Sequence, residues 1–135
     1  MLLELKHIME EEYVVLERLL EALKEQSRYL VRREAFNLDK IVKVLEERSK
    51  AVALLEMKRR KLTKGRFMRE IIEEAKDENL KRIYEDIVKV LEKMQFQKDT
   101  NEALIKQGMI FTQQILRALN PNVEAKTYNS IGKSR

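Results

Sequence analysis

Three long stretches of this chain place apolar residues alternately three and four positions apart, and that spacing leaves few folds open. The first runs through Leu5, Met9, Leu16, Leu19, Leu23 and Leu30, with Glu12 and Gln26 breaking the seam. The second runs through Leu38, Ile41, Leu45, Val52, Leu55 and Leu62, broken by Arg48 and Arg59. The third runs through Leu80, Tyr84, Ile87, Leu91 and Met94, then the polar Lys98 and Asn101, then Ile105. Side chains three and four apart share one face of a helix, so sustained spacing of this kind signals long helices packed at shallow angles. A strand needs alternation at a period of two, and no stretch shows it.

The punctuation agrees with these divisions. Asn37 precedes LDKIVKVLEE and is of the type that caps a helix by accepting a bond from its first free amides. Gly65 follows KRRKLTK, which suits a left-handed stop after a last turn rich in positive charge. Asp77 or Asn79 can cap the last long helix, which stops at Asn120-Pro121 because the residue before proline avoids helical geometry. The spacing predicts helices near 2–33, 38–64, 67–76 and 79–119. The short one carries Phe67, Met68, Ile71, Ile72 and Ala75 on one face. The expected fold is all-α: an elongated antiparallel bundle or hairpin of three long helices plus one short helix. It forms a helical domain over 1–120, followed by a flexible C-terminal tail over 121–135. That tail, PNVEAKTYNSIGKSR, nonetheless holds Tyr128 and Ile131, which prefer cover.

Composition removes most chemistry. The 135 residues make one domain, and their 38% charged and 44% apolar content is neither that of a disordered chain nor of a membrane span. With no cysteine there is no disulfide, thiol nucleophile or thiolate metal site. The single histidine, His7, sits near a terminus beside Ile8 and reads as solvated or half-packed. One histidine cannot supply the two Glu-x-x-His pairs of a di-iron bundle. Three glycines give no phosphate-cradling loop. The expectation is a protein that is not an enzyme and uses no cofactor or metal. No apolar run approaches the ~18 residues of a spanning helix. The first residues are acidic from Glu4 onward, unlike a secretory leader, so the chain is expected to stay in the cytoplasm.

The run MKRRKLTKGRFMR gathers Lys58, Arg59, Arg60, Lys61, Lys64, Arg66 and Arg69. Such a strip can contact nucleic acid or acidic lipid, or it can be a solvated helix end complementing its own dipole. The second reading is preferred. The net charge is only +5, a single aromatic residue (Phe67) stands among the cations, and Glu70, Glu73 and Glu74 follow at once.

The most distinctive signal lies in the last helix. Plotted at ~100° per residue, LIKQGMIFTQQILRAL spreads apolar and small residues over roughly 180°, wider than the ~100° stripe that one buried side requires. Leu104, Ile105, Gly108, Met109, Thr112, Ile115, Leu116 and Leu119 form this arc. Gly108 and Thr112 sit mid-arc, where small side chains admit another backbone. Part of the arc reads as a docking groove for a helix from another protein. The alternative is a central helix that touches two neighbours of its own chain. The polar Lys98 and Asn101 lie just before the arc and mark a point where the helix can change partners.

With these features in view, the chain resembles the FlgN family of flagellar type III export chaperones. The resemblance covers most of the chain. It rests on the first helix with LERLLEALKEQ and on the second, LDKIVKVLEERSKAVALLEMKRRKLTKG. It continues with Asn101 to Ile105 (N-E-A-L-I) in the last helix and with T-Y-x-x-x-G from Thr127 to Gly132. The tail departs from the family in being short and basic. The resemblance implies a small cytoplasmic chaperone that binds the C-terminal helices of hook-associated junction proteins. It would prevent their premature assembly and deliver them to the export gate protein at the membrane. It further implies export-gate docking through Tyr128. Neither nucleic acid nor membrane insertion is expected, and the free chaperone can be monomer or homodimer. Two other readings stay open: a basic helical hairpin that binds nucleic acid through 58–69, and a structural coiled-coil dimer that buries the arc against a second copy.

Overall fold

A computed structural model of the protein describes residues 1–119. All the regular structure among them is helical: α1 (Leu2–Arg32), α2 (Ala35–Thr63), α3 (Met68–Ala75) and α4 (Glu78–Leu119). The tail beginning at 121, with its expected flexibility and Tyr128, lies outside the described residues.

Consecutive long helices alternate in direction, α1 and α2 through a two-residue turn and α2 and α4 by way of α3. Glu12 meets Arg59, and the Arg18 carbonyl accepts from Arg48 Nη1 at 2.7 Å, so α1 and α2 run antiparallel. Lys6 meets Asp77 at one end and Gln26 meets Asn101 at the other, so α1 and α4 run parallel. This up-down-up order is that of the expected antiparallel bundle, in which the first and third long helices share a direction. α1 is the central helix, and its extensive contacts are with α2 and α4.

The polar breaks in the three seams find one another. Glu12 Oε2 accepts from Arg59 Nε at 3.2 Å between α1 and α2. Its other oxygen, Oε1, lies 3.0 Å from the same nitrogen but outside hydrogen-bonding geometry, and it is left buried without a partner. Burial raises the Glu12 pKa above the ordinary carboxylate value, and this outweighs the opposing pull of Arg59. Asn101, 3% exposed, donates from Nδ2 to the Leu23 carbonyl and to Gln26 Oε1, both at 2.9 Å, and accepts from Gln97 Nε2 at 3.0 Å. Polar groups inside a seam are satisfied only in one alignment, so these pairs fix the register of α2 and α4 on α1.

The core gathers at one end of the bundle. Leu5, Met9 and Leu16 of α1 pack with Ile71 of α3 and with Leu80, Ile87 and Val90 of α4. Leu5, Met9 and Leu80 are completely enclosed. The α2–α3–α4 connections close this end. Lys64 (φ 54) and Gly65 (φ 75) are both left-handed, and Gly65 N donates to the Arg60 carbonyl at 3.1 Å. Asp77 caps α4, its Oδ1 accepting from the Asn79 and Leu80 amides at 3.0 Å while Oδ2 accepts from Lys6 Nζ at 2.9 Å. The cap of α4 and its alignment on α1 therefore share one carboxylate.

Four expectations are corrected. α2 begins at Ala35 and not after Asn37, because α1 ends in a tight left-handed turn at Arg33. Asn37 instead sits in the first turn of α2 and donates from Nδ2 to Glu34 Oε1 at 2.8 Å. In α4 the buried phase after Ile87 runs through Val90, Met94, Gln97 and Asn101. Val90 is 3% exposed and Leu91 is 47% exposed, so Leu91, Lys98 and Ile105 lie off the seam. Phe67 precedes α3 and is 75% exposed, leaving Met68, Ile71, Ile72 and Ala75 as the packed face. Arg59 is not part of a solvated strip but belongs to the α1–α2 seam.

Candidate functional site

α4 has 42 residues and α1 has 31, and this difference creates the site. The two helices start nearly level, at the Lys6–Asp77 contact. Going up the parallel pair, the Asn101 cluster is the last hydrogen-bonded tie between α1 and α4 among the described residues. Beyond it the inward face of α4 continues while its partner runs out. The Arg33 guanidinium, at the end of α1, is level with Phe111. About eight residues of α4 then project further, some 12 Å at ~1.5 Å per residue.

From Leu104 onward the arc is open. Leu104 is half-buried, and Ile105, Gly108, Met109, Thr112, Ile115, Leu116 and Leu119 are exposed. Leu104, Ile105, Gly108, Met109 and Thr112 line one side of a groove of about 630 Å³. Its other side is the end of α1 and the start of α2: Leu30, Val31, Arg33, Ala35 and Leu38. Ile115, Leu116 and Leu119 continue the apolar strip past the groove, on the projecting part of α4. A side-chain carbon at Gly108 would meet no atom within 4 Å, so the floor of the groove is free. The Thr112 hydroxyl turns back to the Gly108 carbonyl at 2.9 Å, which removes a donor from the surface. The alternative of a central α4 covered on two sides by its own chain is not what the described residues show.

Sequence reasoning missed part of this site. Phe111 and Ile110 are exposed apolar residues beside the arc, and Phe111 lines the groove. Leu30 was legible as a seam position, and Leu38 likewise in α2, but neither was placed opposite the arc. The signal available was length: a third seam longer than the first cannot be covered to its end by it. Arg33 carried no periodic signal, because it stands in the turn itself.

The turn positions that arginine closely. Arg33 adopts left-handed geometry (φ 56, ψ 42), with its amide donating to the Leu30 carbonyl at 3.3 Å and the Glu34 amide donating to the Tyr29 carbonyl at 3.0 Å. Its side chain then lies over Phe111, Cζ being 3.9 Å from the ring centroid.

The basic strip is at the opposite end. Arg59 pairs with Glu12, Arg60 bridges Glu56 at 2.7 Å, and Arg66 reaches Glu70 and Glu74. The hydrogen bond from Arg66 lowers the Glu74 pKa below its usual value. Lys58, Lys61, Lys64 and Arg69 are solvated. Among the described residues no acidic or histidine cluster is arranged to hold a metal. None of their helices is long and apolar enough to cross a membrane.

Neither a curated protein nor a solved structure matches the chain. The family model described as FlgN protein matches residues 1–135, the whole chain, and the protein therefore belongs to the FlgN family of flagellar export chaperones.

Proposed function

We propose that the protein is a cytoplasmic chaperone that holds the C-terminal helices of hook-associated junction proteins in the open groove of α4. The observation that carries this reading is the apolar face of α4 continuing past Asn101 and standing largely exposed among the described residues, beside an open groove. A cargo segment that assembles by helical pairing has its own apolar stripe to bury before export. An amphipathic helix laid into a groove buries that stripe while leaving its polar face wet. The cargo-contacting residues in this reading are Leu104, Ile105, Gly108, Met109, Thr112, Ile115, Leu116 and Leu119, with Phe111 added from the groove wall. Binding in an open groove, and not in an enclosed cavity, suits release at the export gate without an energy source on the chaperone.

The test is titration calorimetry of the full chain with peptides spanning the C-terminal helices of the junction proteins. Gly108→Leu places bulk on the free floor of the groove, where nothing in the fold opposes it. Affinity is expected to fall at least about tenfold, roughly 1.4 kcal/mol, with an unchanged circular dichroism melt. Unchanged affinity with a folded variant would remove the groove from the binding site. Salt dependence separates a nucleic-acid reading, since phosphate contacts weaken steeply with salt and an apolar groove does not. Mass in solution separates a homodimer that covers the arc in the free protein.

The same proposal gives Tyr128 the export-gate docking role. Tyr128→Ala is expected to leave cargo affinity unchanged and to weaken binding of the loaded complex to the soluble domain of the gate protein. Persistent gate binding would remove that role.

A further inference from the structure

Among the described side chains that line the α4 groove, one is charged, and it is Arg33. Its guanidinium rests on the Phe111 ring and forms no ion pair with any carboxylate among the described residues. The neighbouring Glu34 carboxylate is engaged by the Asn37 amide. An unpaired cation at the wall of an apolar groove is well hydrated only while the groove is empty.

A helix laid in the groove strips water from that guanidinium. Arginine cannot shed its charge in response, since it stays protonated throughout the accessible pH range. The Phe111 face compensates for part of the lost hydration and no more. A carboxylate on the incoming helix compensates for more, because two parallel N–H donors match its two oxygens. A lysine or arginine at the same point leaves two cations facing each other away from water.

We propose that Arg33 is a specificity-determining residue of the groove, selecting helices that carry a carboxylate within or beside their apolar stripe. This rests on the reading of the groove as the cargo site. In the bound state Arg33 stays against Phe111 and turns its N–H edge toward the acid, so that the ring positions the fork. Apolar contact then supplies most of the affinity, and Arg33 sets which helix binds and at what register.

A basic residue also stands at the left-handed ends of α2 and α3, as Lys64 and Lys76, where it complements a helix C-terminus. The Arg33 test must therefore separate helix capping from recognition. Arg33→Lys keeps the capping charge and loses the planar fork. Arg33→Glu reverses the charge. Both are titrated as full-length protein against synthetic peptides of the junction-protein C-terminal helices, alongside versions with each Asp or Glu replaced in turn by Lys. Arg33→Lys is expected to weaken binding a few-fold. Arg33→Glu is expected to weaken it about tenfold or more, with one acid-to-lysine peptide restoring most of the loss. Wild-type affinity for Arg33→Glu, in a protein whose binding Gly108→Leu abolishes, would overturn the role of Arg33 and leave the groove standing. Weakened binding with no rescuing peptide would also overturn it, since the effect would then come from the turn. Unchanged binding in both Gly108→Leu and Arg33→Glu would overturn the groove and this inference together.

Discussion

Removing Arg59 should leave a buried carboxylate whose cost depends on pH in a calculable way. Glu12 is 8% exposed and has Arg59 as its one cationic partner, with Oε1 already unsatisfied. In Arg59→Met the aliphatic stem remains and the charge goes. An uncompensated buried charge costs ~3–5 kcal/mol, but a carboxyl group has a cheaper exit, which is to take up a proton. From the ordinary glutamate value of 4.5, neutralising Glu12 at pH 7 costs about 1.36 × 2.5, or ~3.4 kcal/mol, and that sets the ceiling. At pH 5 the same ceiling falls to about 0.7 kcal/mol. The sign follows from linkage. A carboxyl whose folded pKa is raised binds its proton more tightly in the folded state, so its contribution to stability is lost as pH rises from the unfolded toward the folded pKa. Urea melts of wild type and Arg59→Met at pH 5 and pH 7 should therefore show a deficit of about 2–3 kcal/mol at pH 7 that shrinks below ~1 kcal/mol at pH 5. The paired replacement Glu12→Leu with Arg59→Met should recover most of the loss at both pH values. A deficit equal at the two pH values would show that lost packing, and not stranded charge, is what Arg59 guards against.

Asn101→Leu removes the donor to Leu23 and Gln26 and should destabilise by about 1–3 kcal/mol in denaturant melts, with Gln26→Leu in the same chain restoring part of it. Asp77 titrates in the opposite sense to Glu12. Its carboxyl is held below its usual pKa, chiefly by the hydrogen bond from Lys6. Its contribution is complete above the ordinary aspartate pKa and is lost as pH falls through the depressed one. Asp77→Asn should therefore melt earlier than wild type at pH 7, with the gap narrowing as the pH is taken below the ordinary aspartate value.

How much of this was legible in the sequence depends on which physical effect wrote each feature. The four helices follow from apolar spacing, which acts locally. The Glu12, Gln26, Arg48, Arg59 and Asn101 interruptions were visible, but their partners were not, because pairing depends on direction and register across helices. The phase slip from Leu91 to Val90 has the same origin. A helix of 3.6 residues per turn drifts against a 3.5 repeat, and the tertiary partner decides which of two adjacent apolar residues faces inward. The start of α2 was misplaced by two competing end signals. Asn37 is a good cap by type, yet the left-handed turn at Arg33 reverses the chain within two residues, so α2 begins at Ala35 before Asn37 is reached. At the candidate site, the arc from Leu104 to Leu119 was legible as an excess of apolar width. Its opposite wall was not, since Leu30, Arg33 and Leu38 reach it only through the α1–α2 turn.

The bundle separates the residues that hold it together from those proposed to bind cargo, and this separation can be measured. Leu5, Met9 and Leu80 close one end completely, so Leu80→Ala should cost about 2–5 kcal/mol through lost contacts and a residual cavity. At the other end Ile115 and Leu116 are 42% and 36% exposed and lie outside the core cluster, so a polar replacement leaves the packing of that core intact. Ile115→Gln and Leu116→Gln should change stability by no more than about 0.5 kcal/mol while weakening cargo binding, the reverse of the pattern expected for Leu80→Ala. Melting temperature and peptide affinity measured on the same three variants test this directly. A large loss of stability at Ile115 or Leu116 would mean that the arc is covered in the free protein. If that loss also depended on protein concentration, the cover would be a second copy of the chain, because only an associating species melts at a temperature set by mass action.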